Sequence, residues 1–212
     1  MTGIISDNVG RPSGLIKAAS GGGGGVWNLI KTLTASADGT LDFVHGTADV
    51  VLDSTYPIYK FVYINCHPAT DDVAFSFQGT TDGSNFNTTI TSTHFESYHN
   101  EADSVAGVGY QAEQDLAQST SFQTIQKDYG NGNDESGSGY IHLYNPSSTT
   151  FVKHFIGVNQ SYHSGDYVTN DYLAGYFNTT SAITGIQFKM SSGNIDAGKI
   201  KLYGIKDSAW VE

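Results

Sequence analysis

Ile186-Gln187-Phe188-Lys189-Met190-Ser191-Ser192-Gly193-Asn194-Ile195, followed closely by Lys199-Ile200-Lys201-Leu202-Tyr203-Gly204-Ile205, is the stretch that decides how this chain reads. Ile186, Phe188 and Met190 alternate with Gln187 and Lys189, and Ile200, Leu202 and Gly204 alternate with Lys199, Lys201 and Tyr203. A period of two is the mark of a strand with one face in a core and one in water. Read locally, the pattern predicts a hairpin of two strands joined by a connection of several residues, with Ser-Ser-Gly-Asn and Ala197-Gly198 supplying the turn chemistry and Ile186, Phe188, Ile200 and Leu202 anchoring a core. Such a pair is not stable alone, so the rest of the chain has to supply a larger sheet.

It has the material to do so. The 212 residues are 38% hydrophobic and 12% aromatic but only 15% charged, with 25 glycines and many Thr, Ser and Asn. That composition fits many short strands joined by tight turns. Period-two segments recur at 26–34, 40–45, 58–66, 73–78, 87–93, 140–144, 150–158 and 172–177. The first two flank Asp38-Gly39 and are expected to pair as a hairpin. In 58–66, Tyr59, Phe61 and Tyr63 share one face. The Thr-rich segment 87–93 reads as an edge or a mostly solvated strand. Residues 94–139 are the least strand-like, with a helical turn expected around 113–118, a short strand at 121–127 and a surface loop from Asp128 to Gly139. Roughly ten strands with almost no helical periodicity predict an all-β fold, an antiparallel two-sheet sandwich of jelly-roll type.

Residues 1–25 stand apart as an extended N-terminal arm, and 26–212 form the sandwich domain. Five consecutive glycines, 21–25, carry no side chains to pack and lose the most backbone entropy on ordering. Contact with neighbouring subunits is the simplest way to order such an arm, and folding back on its own domain is the alternative. Ile4, Ile5, Leu15, Ile16, Gly21 and Gly25 are therefore its expected attachment residues.

The formal net charge of −11, with only 10 Lys and Arg, argues against a nucleic-acid partner. No stretch is apolar enough for membrane insertion, and Met1-Thr2-Gly3-Ile4-Ile5-Ser6-Asp7-Asn8 lacks the basic start and apolar run of a classical export signal, so synthesis in a cytoplasm is expected. Cys66 is the only cysteine and falls in an apolar strand pattern, as a small core residue does.

The opening run Gly3-Ile4-Ile5-Ser6-Asp7-Asn8-Val9-Gly10-Arg11-Pro12-Ser13-Gly14-Leu15-Ile16-Lys17-Ala18-Ala19 and the closing run from Ile186–Ile195 through Lys201–Ile205 resemble small β-rich virion proteins of marine tailed bacteriophages, of the head-decoration or fibre type. The resemblance covers the two ends and the general character of the middle. It implies a jelly-roll-like domain in a particle, homo-oligomerisation and contact with other virion proteins, and it brings no catalytic residues. The expected function is accordingly that of a non-enzymatic structural subunit of the virion, with a glycan- or host-receptor-binding module as the alternative.

Signals for chemistry are sparse. There is no nucleophile elbow, no phosphate-binding glycine loop and no arrangement of Cys66 with a histidine that supports catalysis, so no cofactor is expected. His94, Glu96, His99 and Glu101 do not form the helical zinc-protease motif; in an extended segment His94 and Glu96 share a face and suit a divalent cation, but a solvated loop is the preferred reading and no metal is assigned. His142 and His154 sit within strand patterns and read as solvated or hydrogen-bonded side chains. The oxygen-rich loop at 128–135 lacks EF-hand spacing, and Asp71-Asp72 reads as a turn. In the segment 161–177, Tyr162, Tyr167, Tyr172 and Tyr176, mixed with Asp166, Asn170 and Asp171, combine aromatic surface with hydrogen-bonding groups, the composition of a glycan contact for which Tyr162, Tyr167, Tyr172, Asp166 and Asp171 are the candidates, although the same residues suit a core or a subunit contact.

Overall fold

In the computed structural model, which describes residues 27–206, Tyr59, Phe61 and Tyr63 point into a core while Ile58, Val62 and Ile64 alternate outward. The same alternation produces twelve strands among the described residues. They are β1 (Trp27–Thr34), β2 (Leu41–Val44), β3 (Ile58–Pro68), β4 (Val73–Thr80), β5 (Ile90–Asn100) and β6 (Ala106–Tyr110), then β7 (Gln123–Tyr129), β8 (Gly137–Tyr144), β9 (Lys153–His163), β10 (Tyr167–Phe177), β11 (Gly185–Met190) and β12 (Ile195–Ile205). All pairings are antiparallel. One run of neighbours is β1-β12-β3-β8-β9-β10-β5-β6 and another is β7-β4-β11-β2. Tyr129 of β7 pairs with His163 of β9, and Asp38 bridges to Ile195, so the two runs are stitched into one nearly closed, barrel-like sheet. The attachment arm, with Ile4, Ile5, Leu15, Ile16, Gly21 and Gly25, lies outside the described residues.

The two expected hairpins are not hairpins. β11 pairs with β4 and β2, whereas β12 pairs with β3 and β1. Likewise β1 and β2 do not pair with each other. The reason lies in three stacked corners. The chain turns at 35–40, at 69–72 and at 191–194, and these corners bond to one another and to the strand ends beside them: Ala35 N–H donates to Gly198 O, Ile195 N–H to Asp38 O, Ala69 N–H to Asn194 O and Ser191 N–H to Ala74 O. Each corner carries the chain from one run of strands to the other, and each flanking strand pairs with its counterpart from the next corner. Alternation in sequence determines which side chains face inward, but not which strand lies alongside. Asp38-Gly39 misleads because a two-residue hairpin turn of the type it favours needs positive φ at both residues, and here Ala37, with φ of 60°, carries the turn instead.

Residues 94–139 are more ordered than their sequence indicates. β5 runs on to Asn100 and lies between β10 and β6, so it is an interior strand and not an edge. The segment 113–118 forms turns, not a helical turn.

Rings from both runs meet in the middle. Phe43 of β2 lies 5.3 Å from Phe61 of β3, Phe188 of β11 lies 5.4 Å from Phe61, and Phe77 of β4 lies 5.2 Å from Phe155 of β9. Each such ring contributes about 1.5–3 kcal/mol by leaving water. Ile186, Phe188, Ile200 and Leu202 are all buried in this core, as their alternation predicts, and so is Cys66.

Candidate functional site

Adjacent strands β9, β10 and β5 sort their side chains in register. Asp171 sits opposite Asn159 on one side and Glu96 on the other, and all three are buried. Tyr172 sits opposite Val158 and Phe95, facing outward. The strands therefore build two different surfaces, a polar interior and an aromatic exterior.

In the interior, His94 Nε2 lies 2.7 Å from Asp171 Oδ1, and both side chains are fully enclosed. Burial raises the pKa of the Asp171 carboxyl, partly offset by the bond to His94. Burial, and next the Asp171 charge, raises that of Glu96, which accepts a bond from Gln111 Nε2 at 3.4 Å. Around them, Tyr129 donates to Asn159 Oδ1 at 2.9 Å, Asn159 donates to Gln126, Gln126 donates to Thr169, and Ser161 contacts Thr169. His94 Nδ1 and Asp171 Oδ2 have no hydrogen-bond partner among the described residues. His94 and Glu96 thus do share a face, but it is the inner one. His99 faces outward against Asp103 at 3.1 Å, and Glu101 accepts from Tyr162. The four-residue constellation is split across the sheet, and among the described residues no group of three or more His, Cys, Asp or Glu is placed to hold a metal ion.

The five residues read as a glycan contact are dispersed. Tyr162 donates to Glu101 Oε1 at 3.0 Å and Asp166 Oδ1 at 3.2 Å, and these carboxylates raise its pKa. Tyr167 follows the inner alternation at the rim, against Tyr98 and His163. Tyr172 stacks on Phe95 on the outer face, with ring centroids 4.8 Å apart and planes 10° apart. Asp171 is enclosed in the core and does not reach the surface. Tyr162 and Asp166 are therefore together, Tyr172 is on the same outer face but apart from them, and Tyr167 and Asp171 belong to the other side.

The exterior is the more informative surface. Across β1-β12-β3-β8-β9-β10-β5-β6, the exposed hydrophobic residues Trp27, Leu29, Ile64, Ile156, Val168, Tyr172, Phe95, Val108 and Tyr110 all face outward on this one side. Among the large hydrophobics exposed in the described residues, only Val105 and Phe151 lie elsewhere. Outward positions from Lys199 on β12 through to β6 include no Asp or Glu, although the chain has 21 of them. Glu96 and Asp171, the carboxylates carried by β5 and β10 at alternating positions, point inward. The lysines of the face, Lys60, Lys199 and Lys201, gather on β3 and β12. Lys60 Nζ is held 3.9 Å from the ring centroids of both Trp27 and Tyr140, and its burial lowers its pKa. His142 lies between Tyr140 and Tyr144 on β8, its pKa lowered by burial and by the Lys60 charge.

The remaining candidates are structural. Burial pushes the Cys66 thiol up to about 12. In the loop at 128–135, Glu135 accepts from Gly132 N–H and Asn131 N–H bonds to Asp71, so the loop oxygens serve its own backbone and its neighbour. Asp72, with φ of 57°, makes the turn into β4. Sequence reasoning missed the outer face because its residues come from eight strands, and only the register assembles them.

No model of a known protein family matches the chain, and neither a curated protein nor a solved structure is similar to it. Among the described residues, no helix is long and apolar enough to cross a membrane.

Proposed function

We propose that this chain is a non-enzymatic structural subunit of a tailed-phage type of virion, held to neighbouring copies and other virion proteins by residues 1–25 and by the adjoining half of the outer sheet face. The observation that carries the reading is the exposure of Trp27 (46%) and Leu29 (55%) on β1, the strand directly following the arm. They lie beside the lysine-bearing strands β12 and β3, whose outward positions from Lys199 on carry no carboxylate. Exposed apolar residues gathered on one face are the mark of a surface that another protein covers. Lysines without carboxylates suit a partner as acidic as the rest of this chain. The stacked corners and the facing rings of the two runs support the finer description of the fold as a jelly-roll-like two-layer packing.

The test is sedimentation of the full chain at micromolar concentration. The wild type is expected to associate, and a double substitution of Trp27→Ser and Leu29→Ser to return it to monomer without loss of β-structure. Removal of residues 2–25 is expected to weaken association likewise. A wild type that stays monomeric, and that enters particles equally well with both substitutions in place, overturns the reading.

A further inference from the structure

The outer face of β9, β10 and β5 is not level. Register places Thr93, Ala174 and Ile156 in one cross-strand row, with Phe95, Tyr172 and Val158 in the row on one side and Thr91, Tyr176 and His154 in the row on the other. The small Ala174 leaves a trough of about 480 Å³ lined by Thr91, Thr93, Ala174, Ile156, Tyr176 and His154. His154 also lines an adjoining hollow of about 500 Å³ among Tyr144, Ser148, Thr150, Phe151 and Thr180. Phe151 is 70% exposed at its margin. Neither hollow is lined by a single Asp, Glu, Lys or Arg, in a chain with 10 Lys and Arg plus 21 Asp and Glu.

We propose that these two joined hollows form a binding site for a neutral oligosaccharide. Three observations select that chemistry. An ionic ligand finds no counter-charge in the lining. An extended peptide finds no free backbone, because β9 and β10 are paired on both sides, β5 is bonded to β10 on one side and to β6 and residues 116–119 on the other, and strand addition needs an open edge. What the lining offers is aromatic ring (Tyr144, Phe151, Tyr176) interspersed with hydroxyl groups and the His154 imidazole. Sugars present C–H faces that pack on rings and hydroxyls that exchange hydrogen bonds. The Tyr176 hydroxyl and the His154 ring nitrogens make no hydrogen bond within the described residues, and so are available to a ligand. Two hollows sharing one residue suit a short chain of sugar units more than a single one. The site goes beyond the assembly role and is separated from Trp27 and Leu29 by β12 and β3.

The full-length protein is to be tested on an array of uncharged oligosaccharides, comprising α- and β-linked glucose, mannose and N-acetylglucosamine oligomers, with calorimetry of the best binder. Saturable binding is expected. Ala174→Phe, which fills the trough from an outward strand position, and Tyr176→Ala are each expected to weaken it at least tenfold, ~1.4 kcal/mol, with an unchanged thermal midpoint. Tyr162→Ala, and Trp27→Ser with Leu29→Ser, are expected to bind as the wild type does, so loss of assembly and loss of sugar binding separate. Absence of binding to every uncharged glycan by the folded wild type overturns the proposal. So does affinity undiminished by Ala174→Phe, or a result in which Ala174→Phe abolishes self-association alone, which makes the trough a subunit contact.

Discussion

His94 and Asp171, 77 residues apart in sequence, meet with Nε2 2.7 Å from Oδ1 inside the protein, both side chains sealed from water. The pair joins β5 to β10 on the inner face, on the strands whose outer face carries Phe95 and Tyr172. Asp171→Ala leaves the imidazole buried without its acceptor, and breaking a buried pair on one side costs about 3–5 kcal/mol. A urea titration is expected to show that loss as a lower midpoint at unchanged slope.

Glu96 sits beside this pair with its pKa raised, first by burial and then by the Asp171 charge. A carboxyl whose folded pKa lies above its unfolded value contributes stability that is fully present below the unfolded pKa and is lost as pH rises through the folded one. The unfolded reference is 4.5. Relative to the wild type, Glu96→Gln is therefore expected to gain stability as pH is raised above 4.5 towards neutrality, and to show no advantage below it. Thermal midpoints of the two proteins measured across that range check the sign.

Lys60 is held between the rings of Trp27 and Tyr140, each at 3.9 Å from the ammonium. A partly desolvated ammonium over rings is worth about 0.5–2 kcal/mol. Lys60→Gln is expected to lower stability by that order, and the emission of Trp27 to shift because its charged neighbour is gone. Chemical denaturation followed by tryptophan fluorescence reads both.

Gly198 lies at an irregularity of β12 with φ of 116°, and a Cβ there would come within 2.6 Å of Asn65 O and 2.7 Å of Cys66 Cα. Both neighbours are backbone and cannot swing aside. Gly198→Ala combines that overlap with a disallowed dihedral, so a loss of about 1–3 kcal/mol is expected, measurable as a fall in thermal midpoint. Gly109→Ala, with nothing within 4 Å of the added carbon, is the matched control.

Cys66 is fully buried and its thiol is pushed up to about 12. Since the thiolate is the reactive species, the native protein at mildly alkaline pH is expected to resist an aromatic disulfide reagent and to react with one equivalent only once denaturant is added.

Much of the fold is legible in the order of the residues alone. Period-two alternation marks Tyr59, Phe61, Tyr63, Ile186, Phe188, Ile200 and Leu202 as inward residues, because the pleat turns successive side chains to opposite faces whatever the neighbouring strand is. The composition likewise dictates an all-β chain. Partner choice is different. β11 and β12 are joined by only four residues, yet they pair with β4 and β3, because the corner at 191–194 satisfies its backbone groups against the corners at 35–40 and 69–72. Nothing within 186–205 records those distant acceptors.

The same reason governs the sites. Charge and residue type at each position are local facts, and they place Tyr172 and Asp171 side by side in sequence as equal candidates for a surface contact. Register sends Asp171 inward to His94 and Tyr172 outward to Phe95. A run of outward strand positions without a carboxylate, and a trough floored by Ala174, exist only when strands distant in sequence lie in order, because hydrogen-bond pairing between strands is a long-range choice that alternation along one strand does not encode.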